Sequence, residues 1–89
     1  MPLHGNLIDI IQGCINNNRG SQREFYLRYY GYAAAICIRY CNNDDDVNLI
    51  INDGFLKVYR SLGRFNPKHS NYEADLKGWM KRIMINTAI

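Results

Sequence analysis

Apolar residues recur at three- and four-residue spacing in four stretches of this 89-residue chain, and no stretch alternates apolar with polar convincingly enough for a strand. That periodicity belongs to helices with one buried face. It predicts an all-α fold, a compact bundle of about four helices in one domain spanning 1–89. A chain this short buries only about 60–65% of its unfolded surface, so its core must be efficient. With 47% apolar residues and 21% charged, it has the material for one.

Asn6 or His4 opens a short first helix, with Leu7, Ile8, Ile11 and Ile15 on its core side. The run Asn16-Asn17-Asn18-Arg19-Gly20 ends it. Ser21-Gln22-Arg23-Glu24 reads as a capping box, with Ser21 as N-cap of a helix reaching about Cys41. Its stripe is Phe25, Tyr29, Tyr32, Ala33, Ile36 and Tyr40, widened by Tyr26, Tyr30, Cys37 and Cys41.

Asn42-Asn43 breaks that helix, and Asp44-Asp45-Asp46 starts the third with acids at the positive end of its dipole. Val47, Ile50, Ile51, Gly54, Phe55, Val58 and Leu62 form its core face, and Gly63 fits a C′ position. Phe65 to Asn71 is the one clear loop. The last helix starts near Asn71 or Tyr72 and turns Leu76, Trp79, Met80, Ile83 and Thr87 inward.

The longest apolar run, Tyr32 to Ile38, is far too short to span a bilayer. The first residues lack a basic segment followed by an apolar one, so no secretion signal is expected. Three cysteines without paired spacing fit free thiols in a reducing cytoplasm. Charge is uneven: residues 1–40 sum to +2, 41–56 to −4 and 57–89 to +5, giving the net +3. An acidic middle and a basic end point to two partners, one of them a polyanion.

Two surfaces exceed what a core requires. Leu49 and Leu56 lie seven residues apart on the outer side of the third helix and frame Asn52 and Asp53, a pattern suited to a partner helix. On the fourth helix Lys77, Lys81, Arg82 and Asn86 point away from the apolar face, beside a loop carrying Arg64, Lys68, His69 and Tyr72. Basic groups neutralise phosphates, and an amide reads base edges. The ordinary alternatives are coverage by the domain's own elements and a solvated basic face. Catalysis finds no support: His4 and His69 lack a neighbouring nucleophile, and Cys37 and Cys41 lack the further ligands of a zinc site. No catalytic residue, metal or cofactor is expected.

From Phe25 onward the chain resembles region 2 of the sigma-70 family of RNA polymerase sigma factors, specifically the extracytoplasmic-function (ECF) group. Glu24-Phe25-Tyr26-Leu27-Arg28-Tyr29-Tyr30 is similar to its aromatic opening LYRRYY. The stretch from Asp46 to Tyr59 is similar to DAEDLVQEVFLKLW, and that from Leu76 to Ile89 to FRAWLYRIARNLAID. Leu49 stands where the family often has Asp, Asn52 where it has Gln, and Gly54 where it has a larger residue.

The resemblance implies a transcription initiation factor. Its third helix, through Leu49, Asn52, Asp53 and Leu56, would dock on the β′ clamp helices of core RNA polymerase. Arg64, Lys68, Tyr72, Lys77, Lys81, Arg82 and Asn86 would meet the non-template strand of the promoter minus-ten element. An anti-sigma factor is a further partner it admits; a membrane is not. The chain stops where the family's helix continues, before any helix-turn-helix of region 4, so an excised domain is expected. The competing classes are a small helical protein-interaction module without DNA binding and a metal-dependent enzyme.

Overall fold

The computed structural model describes residues 6–41 and 44–89; the expectations resting on His4 and on Asn42-Asn43 lie outside them. Four α-helices are described: α1 (Leu7–Ile15), α2 (Arg19–Tyr40), α3 (Asp44–Ser61) and α4 (Tyr72–Ala88). A 3-10 turn, Leu62–Arg64, follows α3. Among the described residues there is no strand.

Asn6 opens α1, its side-chain oxygen accepting from the Ile8 amide at 2.8 Å. The exit from α1 uses an asparagine where many helices use glycine. Asn17 takes a left-handed conformation, φ 62°, which Asn tolerates better than most residues. The Asn17 and Asn18 amides then satisfy the Cys14 and Gly13 carbonyls at 3.1 and 2.8 Å.

This turn corrects the expected start of α2. Asn18, not Ser21, is the N-cap, and its side chain accepts from the Ser21 amide at 2.9 Å. The Ser21 side chain lies instead where a Cβ on Gly13 would stand, so the two helices approach there too closely for any side chain on α1.

The core is one cluster. Phe25, Tyr29, Ala33 and Cys37 of α2 meet Ile51, Phe55 and Val58 of α3 and Leu76, Met80 and Met84 of α4. Phe25 stands edge-on to Phe55, ring centroids 6.1 Å apart, a favoured aromatic geometry. Alpha-1 closes the cluster with Ile10, Ile11 and Cys14, while Ile8 and Ile15 are exposed. The expected face of α1 was therefore rotated: Ile10 and Cys14 take the places assigned to Ile8 and Ile15. Met84 likewise joins Leu76 and Met80 as a fully buried residue of α4. Gly63 is not a left-handed cap but part of the 3-10 turn, since no glycine described has positive φ.

Tyr29, buried, and Tyr32 and Tyr59, half-buried, bind the helices through their hydroxyls. Tyr29 donates to Glu73 at 2.6 Å, Tyr32 to the Lys77 carbonyl at 2.9 Å and Tyr59 to the Gln22 carbonyl at 2.9 Å. Each ring fills core volume while its polar end is satisfied at the rim. No helix among the described residues is long and apolar enough to cross a membrane.

Candidate functional site

Among the described residues, the outer face of α3 stays open to water. Leu49 is 68% and Leu56 52% exposed, and Asn52 and Asp53 between them are exposed as well. Helix α2 borders this face: the Tyr26 hydroxyl donates to Asn52 at 3.4 Å and Tyr30 to Asn48 at 3.3 Å. Asp53 pairs with Lys57 one turn on, at 3.5 Å and open to water. Such pairs contribute only about 0.3–0.5 kcal/mol, so Asp53 can exchange this lysine for another cation.

The second surface crosses α4. Arg64, Phe65, Asn66, Lys68, His69, Asp75, Gly78, Trp79 and Arg82 line an open cleft of about 550 Å³ between the α3–α4 loop and α4. Gly78 and Arg82 also line a shallower groove with Lys81, Ile85 and Asn86. Lys81 in turn shares a depression with Tyr32, Arg39 and Tyr40 of α2. Basic side chains thus run from the loop, over α4, to the end of α2.

Asp75 shapes the loop side of the cleft. One carboxylate oxygen accepts from the Lys68 and His69 amides at 2.8 and 2.7 Å, and the other lies 2.8 Å from His69 Nδ1. The His69 amide, then the His69 ring and the Lys68 amide, hold this carboxyl below the usual carboxylate range. The loop thus holds the one acid lining the cleft in its ionised form, and among the described residues no ion pair ties it to Arg64, Lys68 or Arg82. Phe65 lies against the Trp79 ring, centroids 5.2 Å apart, and forms an aromatic floor.

The structure brings Arg64, Lys68 and Arg82 into one cleft and Lys81, Arg82 and Asn86 into the adjoining groove. It does not bring all seven expected contacts together. Lys77 is half-buried, with its ammonium 5.0 Å over the Tyr32 ring. Tyr72 is also half-buried and stands edge-on to Phe65, centroids 5.5 Å apart, bracing the loop from behind. Its ring lines a different depression, with Arg28, Asn71 and Glu73. Trp79, expected mainly in the core, is half-buried and lines the cleft. Arg39 was not foreseen, because only the packing of α2 on α4 sets it beside Lys81. Among the described residues no group of three or more His, Cys, Asp or Glu could hold a metal ion.

Residues 25–89 match the Sigma-70 region 2 family. The chain belongs to that family. It is similar to the RNA polymerase sigma-H factor of Pseudomonas aeruginosa, 30% identical over 73 residues. That match covers 79% of this chain and 35% of the relative, so the chain spans about a third of the relative's length. No solved structure gives a significant match. Sigma-70 region 2 is a domain of transcription initiation factors, and both surfaces described above lie within the matched residues of this region 2 domain.

Proposed function

We propose that this region 2 domain works in the cytoplasm as part of a transcription initiation factor of the ECF group, without catalytic chemistry of its own. Helix α3 docks on the β′ clamp helices of core RNA polymerase through Leu49, Asn52, Asp53 and Leu56. The α4 surface holds the parted non-template strand of the minus-ten element. Lys81 and Arg82 neutralise phosphates, Asn86 meets a base edge, and the cleft floored by Phe65 and Trp79 receives an unstacked base.

The observation that carries this reading is the presence of two separate exposed surfaces of different chemistry in a sigma-70 region 2 chain. One is apolar with an amide and a carboxylate, and the other is basic with aromatic rings in its floor. Stacking of a base on an aromatic platform is worth about 1–3 kcal/mol, comparable to the few kcal/mol needed to unstack it. Strand capture then favours an opening that polymerase and thermal breathing make accessible, and no nucleotide hydrolysis is required.

The test is binding of forked promoter DNA by the chain assembled with core polymerase, measured across salt concentrations. Lys81→Ala with Arg82→Ala weakens binding, and each lost phosphate contact lowers the log–log salt slope by about 0.7 on a single strand. Unchanged affinity and slope would remove α4 from the DNA interface. Failure of the unaltered chain to copurify with polymerase would favour a protein-interaction module instead.

A further inference from the structure

Gly78 sits inside α4, where glycine weakens a helix relative to alanine. Nothing in the fold asks for it. Its φ is not positive, it is exposed, and a Cβ built on it meets nothing within 4 Å. Gly31 and Gly63 are equally open, but neither lines the basic cleft or the groove beside it; Gly78 lines both. It is therefore the low point between Arg64, Lys68 and Arg82 on one side and Lys81 on the other.

The path continues beyond α4. Arg39, exposed in the last turn of α2, shares its depression with Lys81 and with Tyr40, a residue 44% exposed. Five cations, Arg64, Lys68, Arg82, Lys81 and Arg39, thus border one route. The one carboxylate that lines it, on Asp75, is already held by the loop. A glycine in the floor of such a route lets a sugar-phosphate backbone approach the helix more closely than any side chain would.

We infer that a single DNA strand crosses α4 over Gly78 and continues to Arg39, which takes a phosphate beyond Lys81. This rests on the reading of α4 as the DNA-binding surface and adds the strand's path and two residues. The omission of a side chain at position 78 serves the ligand rather than the fold.

Four proteins decide it, each assembled with core polymerase and titrated with a fluorescent single-stranded minus-ten oligonucleotide: unaltered chain, Gly78→Leu, Arg39→Ala, and Lys81→Ala with Arg82→Ala. Gly78→Leu raises the thermal midpoint of the free domain, because leucine is the better helix former, yet weakens binding about tenfold or more. Arg39→Ala weakens binding several-fold and lowers the salt slope by about 0.7, one phosphate contact. Wild-type binding by Gly78→Leu, or an unchanged slope for Arg39→Ala, overturns the path. If the double variant binds as well as the unaltered chain, it is the α4 surface itself that falls. If the double variant weakens binding while Gly78→Leu does not, only the path falls.

Discussion

Met84 occupies the space that a side chain at Gly54 would need: a Cβ built there meets the Met84 sulfur, with Met84 Cε at 3.0 Å. Both residues are buried, Met84 completely, so α3 and α4 touch at this level through a backbone on one side and a thioether on the other. Gly54 is also where the chain departs from the larger residue of the sigma-70 pattern, and Met84 fills the volume thus released.

Gly54→Ala therefore overpacks the α3–α4 contact despite its better helix propensity. The expected loss is about 1–3 kcal/mol of unfolding free energy, read from urea denaturation. Met84→Ala alone leaves a cavity and costs about 2–5 kcal/mol. Because each substitution relieves the other, the double variant loses less than the two losses added. Strict additivity would show that the contact does not set the helix separation.

The helices were legible because each carries a long apolar stripe, and a stripe survives errors at its ends. What escaped the sequence depended on contacts between elements. Ile8 and Ile15 fit the spacing of a core face as well as Ile10 and Cys14 do; only the position of α2 chooses between them. Ser21 fits a capping box, but the left-handed Asn17 turn delivers Asn18 to the cap first and leaves Ser21 facing Gly13. At the candidate site, Lys81, Arg82 and Asn86 were readable from their place on one helix. Arg39 and the hold of Asp75 on the loop were not, since they join residues on different elements or across a turn.

Asp75 is the pivot of the cleft's loop side. Asp75→Ala removes the acceptor for the Lys68 and His69 amides, whose hydrogen exchange should speed up while that of the α2 core amides stays slow. Binding of a minus-ten oligonucleotide by the polymerase complex should weaken with it. Asp75→Asn, which keeps one acceptor oxygen, should fall between. The pH dependence has a definite sign. The folded carboxyl titrates below its ordinary value of 3.8, so its hold is fully present above that value and is lost as pH falls through the lower folded one. Loop protection should persist at pH 5 and fade below pH 4. Equal protection in Asp75→Ala would assign the loop's order to Phe65 and Tyr72 alone.

The buried thiol and phenols act at the other end of the scale. Burial pushes the Cys14 thiol from 9.0 up to about 11 and raises the Tyr29 and Tyr59 hydroxyls above their ordinary 10. For Tyr29 the neighbouring Glu73 carboxylate, which accepts its proton in the hydrogen bond, adds to the rise. Groups whose folded values are raised contribute stability fully present below their unfolded values and lost as pH climbs through the folded ones. Stability should therefore be flat near neutrality and decline from about pH 9 upward, first through the buried Cys14 and Cys37 thiols, both raised from 9.0. Cys14→Ala, although less stable at neutral pH, should show a shallower decline between pH 9 and 11. An identical slope in that window would exclude Cys14 as a source of the alkaline loss.

The α3 surface separates binding from folding. Leu49 and Leu56 already face water, so Leu49→Ser with Leu56→Ser should change unfolding free energy by only about 0.5 kcal/mol per site, a surface-level effect. If polymerase covers them, each loses the burial of a leucine on binding, about 1.5–3 kcal/mol, or roughly tenfold or more in affinity per site. Asp53→Lys should act on the same complex through charge, since its present partner Lys57 holds it only weakly across water. The measurement is capture of a β′ clamp-helix fragment by each variant, with the thermal midpoint as a check on the fold. Leu27→Ser and Ile38→Ser are the controls, exposed leucine and isoleucine on the outer side of α2 that the proposed contact does not use. Loss of capture in the α3 variants and not in the controls places the docking surface on α3. Full capture by the α3 variants, with loss in the α2 pair, would move it one helix over.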